Sequence, residues 1–347
     1  MQRKRIALVS NALDPPPDEG IRKCAHELAT IFANNGTSVH SIRRNASFAT
    51  KKLLLSPRLL RKLRQDRVCA IVYVPTQSAT PASFLRSAVL QALGGARVVL
   101  LALQARHLGR AGRGLVRFVR PDLVLTPSPT MLREAEDSGL DAAYLPLGTD
   151  LDRFKPADQA RKDELRRTYD LPAERPVVLH VGHARWHRGL DWIARLRADL
   201  VRIVVIGRSL GFDRDVVDWL RASGIHVVDD YVPAIEELYQ LADVYAFPVR
   251  DEQSAIAAPL SVLEAMACNL PVVSTPFGAL PRMVSERAGL FFAGDERQFR
   301  EGIEAALSTP RHEVRTREQV LRHSWAATAN EVLRSALSLC GATSISA

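Results

Sequence analysis

Short, almost wholly apolar runs recur along the chain at 6–10, 37–42, 68–75, 97–103 and 122–126, and again at 176–182, 201–207, 225–229, 244–247 and 271–274. Each reads as a strand buried on both faces, since a half-exposed strand would alternate polar with apolar positions. Between these runs, apolar residues return at helical spacing over 21–34, 83–93, 128–138, 236–242, 259–268 and 296–307. Asn35-Gly36, Gly94-Gly95 and Gly139 stand where the first three of those helices should stop. Strands and helices in turn predict an α/β protein with parallel sheets. The opening, a strand, a proline-rich loop ending at Gly20, a helix and a second strand, has a Rossmann-like form.

At 347 residues the chain exceeds what one core usually holds, which predicts two domains. No run reaches the roughly 18 apolar residues of a membrane helix. The nearest, 89–105, is broken by Gly94, Gly95 and Arg97. The start, MQRKRIALVS, passes from a basic patch straight into a strand, without the features of a signal peptide, so a cytoplasmic location is expected. Cys24, Cys69, Cys268 and Cys340 lie far apart, the expectation being reduced thiols and no disulfide framework.

A formal net charge of +9 points to an anionic partner or surface. Residues 43–67 carry nine Lys or Arg against one acid, Asp66. Within them Ser56-Pro57 reads as an N-cap and first helical residue, with Leu59, Leu60 and Leu63 on one side and Arg58, Arg61, Lys62 and Arg64 on the rest. Two readings stay open: a helix resting on an anionic membrane, or a solvated helix packed through its leucines. Farther on, Arg106, Arg110, Arg113, Arg117 and Arg120 recur at helical spacing opposite Leu108, Leu115, Phe118 and Val119. Gly109, Gly112 and Gly114 argue against a stable helix over the first half of that segment. These arginines predict an acceptor phosphate or lipid headgroups as partner. With 6% aromatic residues and none interleaved with the basic face, nucleic acid is not expected.

The stretch 244–278, VYAFPVRDEQSAIAAPLSVLEAMACNLPVVSTPFG, reads as a strand, a polar loop, a helix and a second strand. The helix start then lies at the carboxyl end of a strand, where unpaired N–H groups and the helix dipole suit a phosphate or diphosphate. Glu264, one turn inside, suits hydrogen bonds from sugar hydroxyls. The wording LEAMACNLPVVSTPFGALPRMV resembles the donor-site signature of the retaining family-4 glycosyltransferases, and AYLPLGTDLDRFKP at 143–156 resembles their interdomain linker. Two such matches in the expected order are far more specific than either alone.

The resemblance implies the GT-B fold: two Rossmann-like domains facing across an interdomain cleft. Residues 1–148 would bind the acceptor and 149–325 the nucleotide sugar, while 326–347, after His323-Ser-Trp325, would form a helix crossing back to the first domain. It implies transfer from a nucleotide diphosphate sugar, with retained configuration and without cofactor or metal, to a lipid-linked or other membrane-associated glycan. The enzyme would then sit at the inner face of the membrane, with 43–67 and 106–120 toward anionic lipid.

Where the family reads Val-Gly-Arg and then Lys-Gly, Gly182 and Gly189 match, Arg188 stands at the lysine position and His183 replaces the arginine. Arg185 is the candidate to supply the missing charge. Arg188 and Arg185 would stabilise the departing diphosphate, the electrostatic work such a transfer requires. Gly207-Arg208 resembles the glycine turn over the nucleotide base, and backbone near Val232 would read that base. Glu252, or Asp251, stands for the family's first glutamate in a longer loop. Ala257, Ala258, Pro259 and Leu260 would line the donor through their backbone, and Glu264 would hydrogen-bond its ribose. On the acceptor side Gly20 matches one glycine of the family's pair while Glu19 replaces the other, and Arg106, His107 and Arg110 are candidate contacts. Neither Asp150 with Asp152, nor Asp213 with Asp215, nor His180, His183 and His187 have the placement of a metal site. The altered positions leave two alternatives: a non-catalytic partner of the same fold, and a nucleotide-sugar 2-epimerase.

Overall fold

The computed structural model describes residues 5–42, 56–116, 118–207 and 211–341 and divides into two units. Unit 1 comprises Met1–Leu147, Ile256–Ala258 and Trp325–Ala347; unit 2 comprises Gly148–Ala255 and Pro259–Ser324.

In unit 1 the chain forms β1 (Arg5–Ser10), α1 (Gly20–Asn34), β2 (Ser38–Ser41), α2 (Pro57–Gln65), β3 (Val68–Val74), α3 (Pro81–Gly94), β4 (Arg97–Leu101), α4 (Gly109–Val116), β5 (Leu123–Thr126), α5 (Pro129–Asp137) and β6 (Ala142–Tyr144). The sheet is six-stranded and parallel, in the order β2-β1-β3-β4-β5-β6. Ala7, Leu8 and Val9 of β1 and Ile71, Val72 and Tyr73 of β3 are fully buried, as strands covered on both faces must be. Strand order reverses at β1, and at the carboxyl ends of β1 and β3 the Asn11 amide and Thr76 exchange hydrogen bonds of 3.1 Å.

The first basic segment takes the second of its two readings, a helix packed through its leucines, and the second departs from expectation. Leu63 of α2 is fully buried, and Leu59 and Leu60 pack against the same core, so the apolar face of this helix is covered within unit 1. Its exposed residues include the cations Arg58, Arg61, Lys62 and Arg64. Residues 43–55, the first part of the basic stretch, lie outside the described residues. A helix does form through Gly109, Gly112 and Gly114, because packing outweighs propensity. Leu108 and Val116 reach the core, and a Cβ on Gly112 would lie 3.3 Å from that of Leu108. Arg106 precedes this helix and Arg120 follows it, so these two do not share its face; Arg117 lies outside the described residues, and Phe118 is 88% exposed.

Unit 2 forms α6 (Gln159–Thr168), β7 (Val177–Gly182), α7 (Leu190–Ala194), β8 (Val201–Ile206), α8 (Arg214–Ala222), β9 (His226–Val228), α9 (Ile235–Leu241), β10 (Val244–Phe247), α10 (Leu260–Ala267), β11 (Val272–Ser274), α11 (Leu280–Met283), β12 (Leu290–Phe292), α12 (Glu296–Ser308) and α13 (Thr316–Val320). Its parallel sheet has the order β12-β11-β10-β7-β8-β9. The chain leaves β7 in one direction and returns to add β10 on the other side, so the switch point lies between β7 and β10.

Two cations hold the first helix of unit 2 in place. Lys162, on α6, donates to Asp243 (2.5 Å) and to the Ala242 carbonyl (2.8 Å), while Arg166 pairs with the second oxygen of Asp243. That oxygen also accepts from the Val177 amide at 2.7 Å, joining α6 to the starts of β7 and β10. The linker is fixed in a similar way. Asp150 accepts from the amides of Asp152 and Arg153, a turn-forming role. Phe154 is buried edge-on to Tyr239, ring centroids 5.6 Å apart. Arg317 donates to the carbonyls of Leu151, Phe154 and Ala267, tying the linker to the last turn of α10.

The last helix, α14 (Trp325–Leu339), packs on α1, β1, β3 and β4, burying Trp325, Ala329, Val332 and Ala336. Thr328 donates to the Pro146 carbonyl at 3.1 Å. Cys69 of β3 and Cys340, just past this helix, form a disulfide with their Cα atoms 5.9 Å apart. That corrects the expectation of four reduced thiols: a sequence separation of 271 hides two residues that the returning helix makes neighbours. Cys24 and Cys268 are buried outside the bond. Among the described residues no helix is long and apolar enough to cross a membrane.

Candidate functional site

Near the carboxyl ends of β7 and β10 lie two buried side chains, His180 and Arg188, each with a nitrogen that has no hydrogen-bond partner. After Gly182 the chain makes one 3-10 turn over Trp186–Arg188, and Gly189 passes it into α7. Gly189 has φ +70°, and a Cβ there would lie 2.3 Å from the Pro248 carbonyl oxygen. Only glycine allows this crossing of the two strand ends. Gly189→Ala should destabilise the protein by about 2–3 kcal/mol, read as a lower urea midpoint at unchanged m-value.

The turn folds Arg188 inward. Its side chain is buried, with Nη1 donating 2.5 Å to the Ser254 carbonyl and Nε without any hydrogen-bond partner. Among the described residues no carboxylate pairs with it, and burial, opposed by Tyr245 and reinforced by Arg185, pushes its guanidinium down to about 10. It therefore remains a cation at neutral pH. A buried cation without a counter-ion is costly to keep, and an anionic ligand removes that cost.

Gly182 makes room for it. A Cβ there would meet Nη2 of Arg188 at 2.6 Å and Nε2 of His180 at 2.8 Å. His180 is fully buried beside Tyr245 and Phe247, with Nδ1 2.8 Å from the Ala246 carbonyl, so Nδ1 carries the proton and Nε2 is a bare acceptor without a partner. Burial first, then Arg188, push the imidazole down to about 3, and it stays neutral.

The start of α10 lies beside these groups. Tyr245 shares its hydroxyl with Val181, at the end of β7, and with Ser261, in the first turn of α10. Pro259 supplies no side-chain cap, and the amides of Leu260 and Ser261 make no backbone hydrogen bond among the described residues. The arrangement suits an anion: two amides, the positive end of a helix and a fixed guanidinium. One turn on, Glu264 is 4% exposed and accepts a 3.0 Å hydrogen bond from the Tyr239 hydroxyl at Oε2.

The structure thus gathers Gly182, Arg188, Gly189, Pro259, Leu260 and Glu264 at one end of the unit-2 sheet. Other candidates stand elsewhere or are otherwise engaged. Arg185 lies 3.7 Å from Asp213, each more than a third exposed, so its charge is met on the surface. The loop Asp251–Ser254 closes on itself through Asp251, and Glu252 on it is only partly buried. Ala257 and Ala258 belong to unit 1, and the Ala257 amide donates to the Leu103 carbonyl, which removes it from the backbone lining assigned to it. His183, Gly207 and Val232 are half-buried at strand ends; Arg208 lies outside the described residues.

In unit 1, Gly20 opens α1 beneath Ile256, whose side chain would lie 2.9 Å from a Cβ, so this glycine serves packing. Glu19 caps the helix by accepting from the Arg22 amide at 3.1 Å. Arg106 donates to Gln104, His107 is exposed, and the Arg110 side chain lies outside the described residues. Among the described residues no group of three or more His, Cys, Asp or Glu side chains is placed to hold a metal. Sequence reasoning missed Tyr239, Tyr245 and the role of His180, because buried aromatic residues in apolar runs read as core.

Residues 175–309 match the family model described as Glycosyl transferases group 1. Over 169 residues the chain is 33% identical to the GDP-mannose-dependent alpha-(1-6)-phosphatidylinositol monomannoside mannosyltransferase of Mycobacterium tuberculosis, covering 44% of this chain and 42% of that protein. Over 170 residues it is 32% identical to the D-inositol 3-phosphate glycosyltransferase of Actinosynnema mirum, covering 43% and 39%. The chain thus spans less than half the length of these curated relatives. A glycosyltransferase structure from Rickettsia africae superposes with a TM-score of 0.75 at 14% identity, over 98% of this chain and all of that one. That likeness, with the two parallel sheets, gives the chain the GT-B fold.

Proposed function

We propose that the chain is a glycosyltransferase that moves a sugar from a nucleotide diphosphate sugar to an acceptor, with retained configuration and without a metal ion. The observation that carries this reading is Arg188, a buried guanidinium with no carboxylate partner at the switch point of the unit-2 sheet. A departing nucleoside diphosphate gains negative charge as the glycosidic bond breaks. Arg188 and the first-turn amides of α10 are fixed donors for that charge, so they stabilise the transition state more than the bound substrate. Glu264, an acceptor-only carboxylate one turn deeper, takes the ribose hydroxyls.

The similar proteins support the donor class by name, one being GDP-mannose-dependent. Both curated relatives name inositol-based, phosphate-bearing substrates, so a phosphorylated or lipid-linked acceptor belongs to the proposal, with unit 1 as its seat. Peripheral residence at an anionic membrane is supported by the exposed cations of α2 and by Phe118. A second reading, donor binding without transfer, is favoured by one observation: Arg185 is turned to Asp213, leaving Arg188 without the expected second cation.

A thermal-shift screen against GDP-, UDP-, ADP- and dTDP-sugars, with and without EDTA, tests the proposal. One nucleotide class at a hundred times its dissociation constant should stabilise the protein by about 2.7 kcal/mol. The shift should survive EDTA and be much reduced in Glu264→Ala. Silence from every nucleotide removes the transferase reading; a shift without turnover on any acceptor supports the second one.

A further inference from the structure

We propose that Tyr239 is a positioning residue: its hydroxyl holds Oε2 of Glu264 so that the carboxylate meets the sugar hydroxyls of the donor nucleoside in one fixed orientation. The proposal rests on the transferase reading and deepens it.

Glu264 is 4% exposed on α10, and a carboxylate at that depth requires placed donors. Tyr239, on α9, supplies one at 3.0 Å. The donor is itself immobile. Tyr239 is fully buried, with Phe154 edge-on at 5.6 Å on one side and Tyr245 at 5.6 Å on another. Tyr245 is anchored in turn by its shared hydroxyl on Val181 and Ser261. Burial, then the neighbouring Glu264, raise the Tyr239 phenol well above its ordinary value, so it is a donor at every working pH.

Glutamate has three rotatable side-chain bonds, and fixing them only when ligand arrives costs affinity. A phenol already hydrogen-bonded to one oxygen sets the plane of the carboxylate beforehand. The effect is confined to what Glu264 touches. Contacts of the diphosphate with Arg188 and the amides of Leu260 and Ser261 involve neither Tyr239 nor Glu264, which separates the two halves of the ligand experimentally.

Isothermal titration of GDP, UDP, ADP, dTDP and inorganic pyrophosphate into the unmodified protein, Tyr239→Phe, Glu264→Ala and the double variant tests this. Tyr239→Phe removes one hydroxyl and keeps the ring stack. It should weaken the nucleoside diphosphate that binds the unmodified protein about tenfold, leave pyrophosphate within about twofold, and have no further effect in the Glu264→Ala background. In turnover the loss should appear in the donor KM with kcat retained. Unchanged nucleotide affinity in Tyr239→Phe overturns the proposal, as does a parallel loss of pyrophosphate, or a full effect persisting without Glu264. If none of the four nucleotides binds the unmodified protein, the transferase reading falls and takes this proposal with it; tight binding that ignores Tyr239→Phe sinks the proposal alone.

Discussion

Arg188→Met is expected to lower kcat/KM by about 10²–10³-fold while leaving the ligand-free protein as stable as before, or more stable by about 1–3 kcal/mol. The two halves of that expectation have one cause. Arg188 is buried against its own backbone, with one nitrogen on the Ser254 carbonyl, another unpartnered and no carboxylate opposite. Methionine fills the same channel with similar volume and removes an uncompensated charge from an apolar setting. The ligand loses the buried cation that the described residues place at the switch point, so diphosphate affinity falls with the rate. Denaturant melts with and without nucleotide would show the two curves converge in the variant. A ligand-free protein destabilised by several kcal/mol, or a retained nucleotide shift, would show that Arg188 is a structural residue.

Asp243→Ala should destabilise the fold by about 3–5 kcal/mol, because it strands two buried cations at once. Lys162 and Arg166 are 3% and 6% exposed, and the Val177 amide loses an acceptor as well. The same carboxylate sets a pH dependence. Burial alone would raise its pKa, but Lys162, Val177 and Arg166 together hold it below the ordinary value of 3.8. A carboxylate depressed by folding contributes stability that is complete above its unfolded pKa and is lost as pH falls through the folded one. Acid melts of the unmodified protein should therefore steepen below about pH 4, and Asp243→Asn should lack that component. Superimposable acid limbs would show that the pair contributes nothing to acid stability.

Period and punctuation made most of the fold readable. Buried parallel strands are uniform apolar runs, and Gly94-Gly95 and Gly139 close helices where the structure closes them. Some short elements were not readable: β12 is three residues long and flanked by glycine at one end, and α7, α11 and α13 are single turns set by packing. The longer α6 escaped because its buried face includes Lys162 and Arg166, so its pattern lacks the apolar spacing that marks a helix. At the site, Gly182, Arg188 and Glu264 were legible through their neighbours in the motif. Tyr239 and His180 were not, since the atoms they present there are single polar tips on residues that otherwise belong to the core. The assignment of Ala257 failed for a different reason: an amide taken up by the distant Leu103 carbonyl leaves no local mark in sequence.

The return of α14 to unit 1 has a consequence for biogenesis. Unit 2 is nearly contiguous in the chain and can close its sheet as soon as it leaves the ribosome, whereas unit 1 must wait for Trp325–Leu339 to cover α1, β1, β3 and β4. Through that interval the earliest-made strands stand with an uncovered apolar face, which makes the nascent first half the natural client of a chaperone. The order of assembly is thus opposite to the order of synthesis: the part translated first is the part completed last.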